Sequence, residues 1–323
     1  MQEQRDEKLT LFTTNPCFGL PTACPKSLPI FFYLKFSNTP FDLCYNSTFP
    51  DSDHIPFIES GSYVAYNNEK GGVIECLRED RIVDLDSDFR TIPEWVSTKA
   101  MVGSWLMDAL TYELWIASDK TSVNKIYYSD LPWPIGSILY YKQAHDAKRY
   151  LGITNENSER IEAEIYRRAN VAYGALSTQL GDDSFLFGSR PSSLDALFLG
   201  HALIILQALP ETSDLKSKLL NYDNLVKYAE RLGSQFIEEF SVQSAVPASS
   251  STPKQGGFSS RRTKPKNKPK KERTEEEKKF RRRAKFFLGA QFISVVLFLS
   301  LFSGSDAGQV ELDEVDDGSD YTD

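Results

Sequence analysis

Histidine and cysteine are scarce in this chain of 323 residues, and their spacing excludes most of the chemistry they usually carry. His54, His145 and His201 lie far apart with no metal-ligand spacing, so they read as satisfied structural histidines and no metal site is expected. Cys17, Cys24, Cys44 and Cys76 all fall in the first quarter of the chain, without a CxxC pair and too sparse for a disulfide framework. That usage fits a reducing compartment, where the sequon Asn46-Ser47-Thr48 goes unglycosylated. The opening "MQEQRDEKLTLF" carries three acidic residues and lacks an apolar h-region, so neither a secretory signal nor a matrix presequence is expected.

Positive charge is outnumbered over the bulk of the chain. Met1 to Ser260 holds 23 basic against 33 acidic residues, within a total net charge of −8. A body of that sign is a poor nucleic-acid binder, so no nucleic-acid partner is expected. The positive charge is concentrated instead in Arg261 to Lys285, with 14 Lys/Arg and 4 Asp/Glu. Asp306 to Asp323 has 8 Asp/Glu and no Lys/Arg.

Between these blocks stands a charge-free apolar run of membrane length, Phe286 to Ser305. As a helix its 20 residues span roughly 30 Å, about one hydrocarbon core. Twelve of them are strongly apolar: Phe286, Phe287, Leu288, Phe292, Ile293, Val295, Val296, Leu297, Phe298, Leu299, Leu301 and Phe302. They favour insertion by about 4 to 7 kcal/mol before Gln291 and the serines subtract. A buried core helix is the alternative, disfavoured because the run is apolar all round and flanked by opposite charges. Placed so late, the run is expected to insert after translation as a tail anchor. The basic side, Arg281, Arg282, Arg283 and Lys285, stays in the cytosol beside anionic headgroups, and the acidic tail crosses. Basic flanks and modest hydrophobicity favour the mitochondrial outer membrane; plastid and peroxisomal membranes stay open on physics alone.

Residues 241–285 read as a disordered basic linker, rich in Ser, Pro, Gly and Lys with little to bury. "TEEEKKFRRRAKFF" has helical charge spacing and could run into the membrane as a helix. A nuclear signal or an RNA contact is the other reading of the Lys/Arg run; beside an apolar span it reads as a lipid-facing collar. Residues 1–85 look α/β. "KLTLFTT" and "FDLCYN" read as strands around the apolar helix "CPKSLPIFFYLKFS", in which Pro29 should restrict the helix to its first turns or kink it. "IPFIES" and "SYVAYNN", parted by Gly61, read as a hairpin, with Pro56 suited to a cis bond ahead of its first strand. "GGVIECLRED" closes the unit as an amphipathic helix. Residues 92–240 read as helices only. "EWVSTKAMVGSWLMDALTYELWIAS" is periodic over many turns, "SERIEAEIYRRANVAYGALSTQLG" is expected to run from a Ser158 cap to Gly181, and "SSLDALFLGHALIILQAL" is apolar enough to be central.

In "FLFGSRPSSLDALFLGHALIILQ", Gly188, Ser192 and Asp195 fit G-x-x-x-[ST]-x-x-D. The spacing makes a capping box: the Ser192 hydroxyl accepts from the amide three residues on, and the Asp195 carboxylate reaches back to the Ser192 amide. Unpaired donors at a buried helix start would cost about 1–3 kcal/mol each. This stretch resembles the glutathione-transferase fold, and the thioredoxin-like first half with Ile55-Pro56 agrees. Combined with a C-terminal anchor, the chain resembles the metaxin family over most of its length. Cys24-Pro25-Lys26-Ser27, Tyr33-Leu34-Lys35-Phe36 and Arg190 to Ala202 echo that family's motifs. The resemblance implies a thioredoxin-like N-terminal domain, an all-α C-terminal domain and a C-terminal transmembrane helix. It also implies a cytosolic body that works in protein import and β-barrel sorting at the mitochondrial outer membrane. The implied partners are translocase and β-barrel assembly subunits, unfolded precursors and outer membrane lipid.

An enzyme of this fold would need a glutathione site. Transferases hold the glutamyl end with an acidic-Ser pair at the start of the third helix; Gly71-Gly72 stand there here and bring neither group, although their amides could still meet an anion. The nucleophile would fall near Cys24, at a helix start beside Lys26, a setting that can lower a thiol pKa; Ser27 replaces the second cysteine of a CxxC. The sequence therefore reads as a noncatalytic receptor or scaffold with no catalytic, cofactor or metal residues. A tail-anchored glutathione-dependent enzyme is the alternative. The aromatic region of Tyr112, Trp115, Tyr127, Tyr128, Trp133, Tyr140 and Tyr141 reads as packing, with "YYSDLPWPIGSILYY" as a possible groove cover or partner surface.

Overall fold

The structure, a computed structural model, describes residues 8–45, 55–69, 71–131 and 134–245, with side chains as far as Ile237. The chain divides into two units, Met1–Ser250 and Ser251–Asp323, and the described residues all belong to the first. The expected anchor Phe286–Ser305, its basic flank, most of the linker and the acidic tail lie outside the described residues.

Alternating apolar residues at the start of the chain make β1 (Leu9–Thr13), whose Leu9, Leu11 and Thr13 point inward. β1 pairs in parallel with β2 (Phe41–Tyr45) and antiparallel with β3 (Phe57–Ser60), so Leu11 sits between Leu43 and Ile58. β3 turns through Gly61, at φ +58°, into β4 (Tyr63–Tyr66), giving the order β2-β1-β3-β4. The expected cis bond is present at Ile55-Pro56, just before β3. Helix α1 (Ser27–Phe36) buries nine of its ten residues because α8 lies along it and the sheet shares its core. Pro29 falls in the first turn of α1, where its missing N–H has no intrahelical partner, so the helix runs on for ten residues. Helix α2 (Val73–Glu79) closes the α/β half.

The long periodic stretch is continuous but changes its winding. It runs as α3 (Pro93–Met101), a π-helical turn (Val102–Leu106), α4 (Met107–Tyr112) and a second π-helical turn (Glu113–Ala117). A short α5 (Thr121–Val123) leads into a third π-helical turn (Asn124–Tyr128). α6 (Ile135–Tyr150) takes up the end of the aromatic stretch read as a groove cover. α7 (Ser158–Leu180) ends at Gly181 with φ +47°, as its sequence predicts, but Ser158 is not its cap. Asn157 stands at the N-cap and serves the preceding loop, accepting from the Thr154 amide at 2.7 Å and donating to the Gly152 carbonyl at 3.0 Å.

α8 (Ser193–Ala208) is the central helix, with 13 of its 16 residues buried. It meets α1 so closely that a Cβ on Gly200 would stand 2.8 Å from the Pro29 ring, which is why only glycine fits. α9 (Asp214–Leu220) and α10 (Asp223–Ala245) finish the unit. α10 extends five residues into the stretch read as linker from 241.

Candidate functional site

Cys24 precedes α1, and its carbonyl accepts from the amides of Ser27 and Leu28, each at 3.0 Å. Its own amide donates to Thr22 Oγ1 at 3.3 Å, and Thr22 is tied to Thr13 Oγ1 at 2.9 Å. Cys24 is 2% exposed. The Tyr127 hydroxyl of the helical half sits 3.6 Å from its sulfur. Tyr127 stacks on Trp115 with ring centroids 5.6 Å apart. Burial, reinforced by the neighbouring Cys24, pushes the Tyr127 hydroxyl well above the ordinary tyrosine range. Lys26, expected to activate the thiol, stands exposed at the N-cap of α1 without a side-chain capping bond. Ser27 is buried, and among the described residues its hydroxyl finds no partner.

The start of α2 is built on the two glycines. Gly71 and Gly72 take φ +85° and +107°, conformations that favour glycine. The Gly72 amide donates to the Glu69 carbonyl at 2.7 Å, so this amide is already used within the turn. The helix behind it is only seven residues long.

The densest polar cluster lies at the start of α8. Ser192 and Asp195 form a capping box, with Asp195 Oδ2 accepting from the Ser192 amide at 2.8 Å. Asp195 also accepts from the Ser192 hydroxyl at 2.8 Å, the Leu186 amide at 2.8 Å and the Tyr228 hydroxyl at 2.7 Å. Burial raises the Asp195 carboxyl above its ordinary value, while these hydrogen bonds pull the other way. Trp95 Nε1 donates to the Ser192 hydroxyl at 3.2 Å. Asp86, fully buried, accepts from the Ser193 amide at 2.8 Å and the Ser193 hydroxyl at 2.6 Å. Lys99 joins Asp86 at 3.2 Å and Glu75 at 2.9 Å, tying α3 to α2 and to the segment linking the two halves. Sequence reasoning missed Asp86: its local sign is a turn in which the Asp86 amide donates to the Asp84 carboxylate at 2.9 Å. The arrangement holds a helix start and presents no reactive atom.

The aromatic region divides. Trp115 contacts Tyr127, Tyr128 and Tyr140, and Tyr140 contacts Tyr141. Tyr112 turns away to meet Tyr166 edge-on, and Tyr166 donates to the buried Glu113 at 2.6 Å. Trp133 and His54 lie outside the described residues. His201 is buried, with Nε2 2.8 Å from the Tyr173 hydroxyl, and burial lowers its pKa to about 3. His145 is exposed on α6. Among the described residues no group of His, Cys, Asp and Glu could hold a metal ion. None of the described helices is long and apolar enough to cross a membrane.

Comparison with known proteins follows the two halves. Residues 25–121 match the glutathione S-transferase N-terminal domain, and residues 169–232 match the glutathione S-transferase C-terminal domain. The chain is 53% identical over 315 residues to the Arabidopsis thaliana protein named mitochondrial outer membrane import complex protein METAXIN, covering 98% of this chain and 99% of that one. Metaxin-2 of Mus musculus is 25% identical over 66% of this chain and 82% of its own. Metaxin-1 of Mus musculus is 26% identical over 69% and 74%. A likeness running almost from end to end, on a transferase-type body whose thiol is sealed, leads to one conclusion: the chain belongs to the metaxin family.

Proposed function

We propose that the chain is a noncatalytic receptor and scaffold subunit of the mitochondrial outer membrane, acting in protein import and in β-barrel sorting and assembly. The observation that carries this reading is the end-to-end likeness to a protein named for its import complex. The body faces the cytosol. Phe286–Ser305 anchors it as a single span, Arg281, Arg282, Arg283 and Lys285 rest against cytosolic headgroups, and residues 306–323 reach the intermembrane space. Its partners are β-barrel assembly and translocase subunits, unfolded precursors and outer membrane lipid. The anchor raises the local concentration of the body at the membrane.

Two features of the body support capture rather than chemistry. Cys24 is covered by Tyr127, and the two glycines at α2 replace the side chains that would grip a glutamyl group. Among the described residues β2 has a strand neighbour on one side only, and a cleft of about 900 Å³ beside it has a mixed lining, with Phe41, Leu43 and Phe236 among its apolar residues and Lys8, Lys35 and Asp42 among its charged ones. An open strand edge beside a cleft with both apolar and charged walls suits an extended, part-apolar precursor segment.

The alternative, a tail-anchored glutathione-dependent enzyme, draws on the transferase domain matches. Calorimetric titration with glutathione and a turnover assay on a generic electrophile separate the two. No heat and no turnover are expected; micromolar binding with Cys24-dependent turnover would overturn the receptor reading. A fluorescent fusion is expected to outline mitochondria and to become diffuse when residues 286–323 are removed. An unchanged outline would sink the anchor.

A further inference from the structure

We propose that α6 is a membrane-surface contact through which the folded body touches an anionic bilayer; this rests on the membrane reading above. The helix has two opposed faces. Gly136, Tyr140 and Ala147 are buried on one. On the other, Ile135, Ile138 and Tyr141 are 47%, 45% and 61% exposed in the first half. Lys142, His145, Lys148 and Arg149 are exposed in the second half. At 100° per residue these seven side chains fall within a sector of about 140°, so they form one continuous outward stripe, apolar and then basic.

The charge on this stripe runs against the body that carries it. Met1 to Ser260 has ten more acidic than basic residues, yet the stripe holds no carboxylate. Asp146 lies at its margin, half-buried and paired with Arg149 at 3.5 Å. Lys120 adds a further cation where the two halves of the stripe meet. Its Nζ donates to the Tyr141 hydroxyl at 2.7 Å and stands 4.1 Å from the centre of that ring. Tyr141 is thereby held outward with its polar tip already bonded.

With the helix lying in the plane of the surface, the exposed isoleucines and Tyr141 reach the acyl boundary while the long basic side chains of the same face extend to the phosphates. Protein interfaces are depleted in lysine, which here occupies the middle of the stripe. No described helix is long and apolar enough to cross a membrane, so the contact lies along the surface.

The test places a photo-crosslinker at Ile138→benzoylphenylalanine in the full chain, reconstituted into vesicles of phosphatidylcholine alone or mixed with phosphatidylserine. Val171, 47% exposed on α7, carries the same group as control. Lipid adducts are expected at 138 and not at 171, to increase with phosphatidylserine, and to fall at least about tenfold with Lys142→Glu and Lys148→Glu together. No excess of lipid adduct at 138 over 171 overturns the proposal. So does an adduct at 138 in isolated outer membranes that is protein instead of lipid. A third crosslinker at Phe298 reports the anchor: lipid adducts there without adducts at 138 sink the contact and leave the anchor standing. If position 298 fails, position 138 still decides the contact.

Discussion

Asp86 grips Ser193 twice, through its amide at 2.8 Å and its hydroxyl at 2.6 Å, across 107 residues of chain. The two residues join the segment leaving the α/β half to the start of the central helix. Ser193→Ala removes one neutral donor from a buried carboxylate and is expected to cost about 1–3 kcal/mol. Asp86→Ala leaves the Ser193 amide and the Lys99 ammonium short of a partner and is expected to cost about 3–5 kcal/mol. Urea unfolding measures both. Equal losses would mean that Asp86 acts through Ser193 alone.

Asp195 gives a pH signature. Burial raises its carboxyl above the ordinary 3.8, so between that value and the folded-state value the native chain binds more protons than the unfolded one. This group's contribution to stability therefore rises as pH falls through the folded-state value and levels off below the unfolded one. Asp195→Asn removes that rise. It also destabilises at neutral pH, because an amide offers one acceptor oxygen where four donors converge. Subtracting the variant's pH–stability curve from that of the native chain should leave a difference that grows toward acid. A difference that shrinks toward acid contradicts the burial argument.

The cover over Cys24 is testable by alkylation. Tyr127→Ala opens the face of the thiol that the helical half closes, and because the ring is only partly buried the stability cost should fall below the roughly 3–5 kcal/mol of a fully buried aromatic. A maleimide should label Cys24 slowly in the native chain and faster in the variant, read by peptide mass under conditions where both stay folded. Tyr127→Phe keeps the ring and should stay slow, which separates coverage from the hydroxyl contact. Equal labelling of Cys24 in all three chains would show that Tyr127 is not its lid.

What could be read from the sequence was local. Ser192 and Asp195 stand three apart, so their reciprocal bonds follow from helix geometry, and the alternation of Leu9 and Leu11 gives the strand directly. Asp86 and Tyr127 find their partners 107 and 103 residues away, and no spacing rule carries that information. At the start of α7, Asn157 and Ser158 are both good caps; the choice fell to Asn157 because the loop at Gly152 and Thr154 needed its side chain. The π-helical turns escaped because the buried pair of Val102–Leu106, Val102 and Leu106, stands four residues apart, a spacing that fits both helical periods.

Gly200 and Pro29 offer the sharpest check on the packing of the two halves. In an open helix interior Gly→Ala stabilises by up to about 1 kcal/mol. Here the new methyl would meet the Pro29 ring at 2.8 and 2.9 Å, and the ring cannot swing aside. Gly200→Ala is therefore expected to cost about 1–3 kcal/mol, the reverse of the helical preference. Pro29→Ala removes the two ring carbons but leaves the backbone nitrogen 3.0 Å from the new methyl, so the strain is relieved in part and the double variant should lose less than the two single losses added together, a coupling between the two sites. Denaturant unfolding of the four chains measures that coupling directly. Strict additivity, or a stabilising Gly200→Ala, would mean that α1 and α8 can move apart at this crossing, and that the close approach is not what demands glycine.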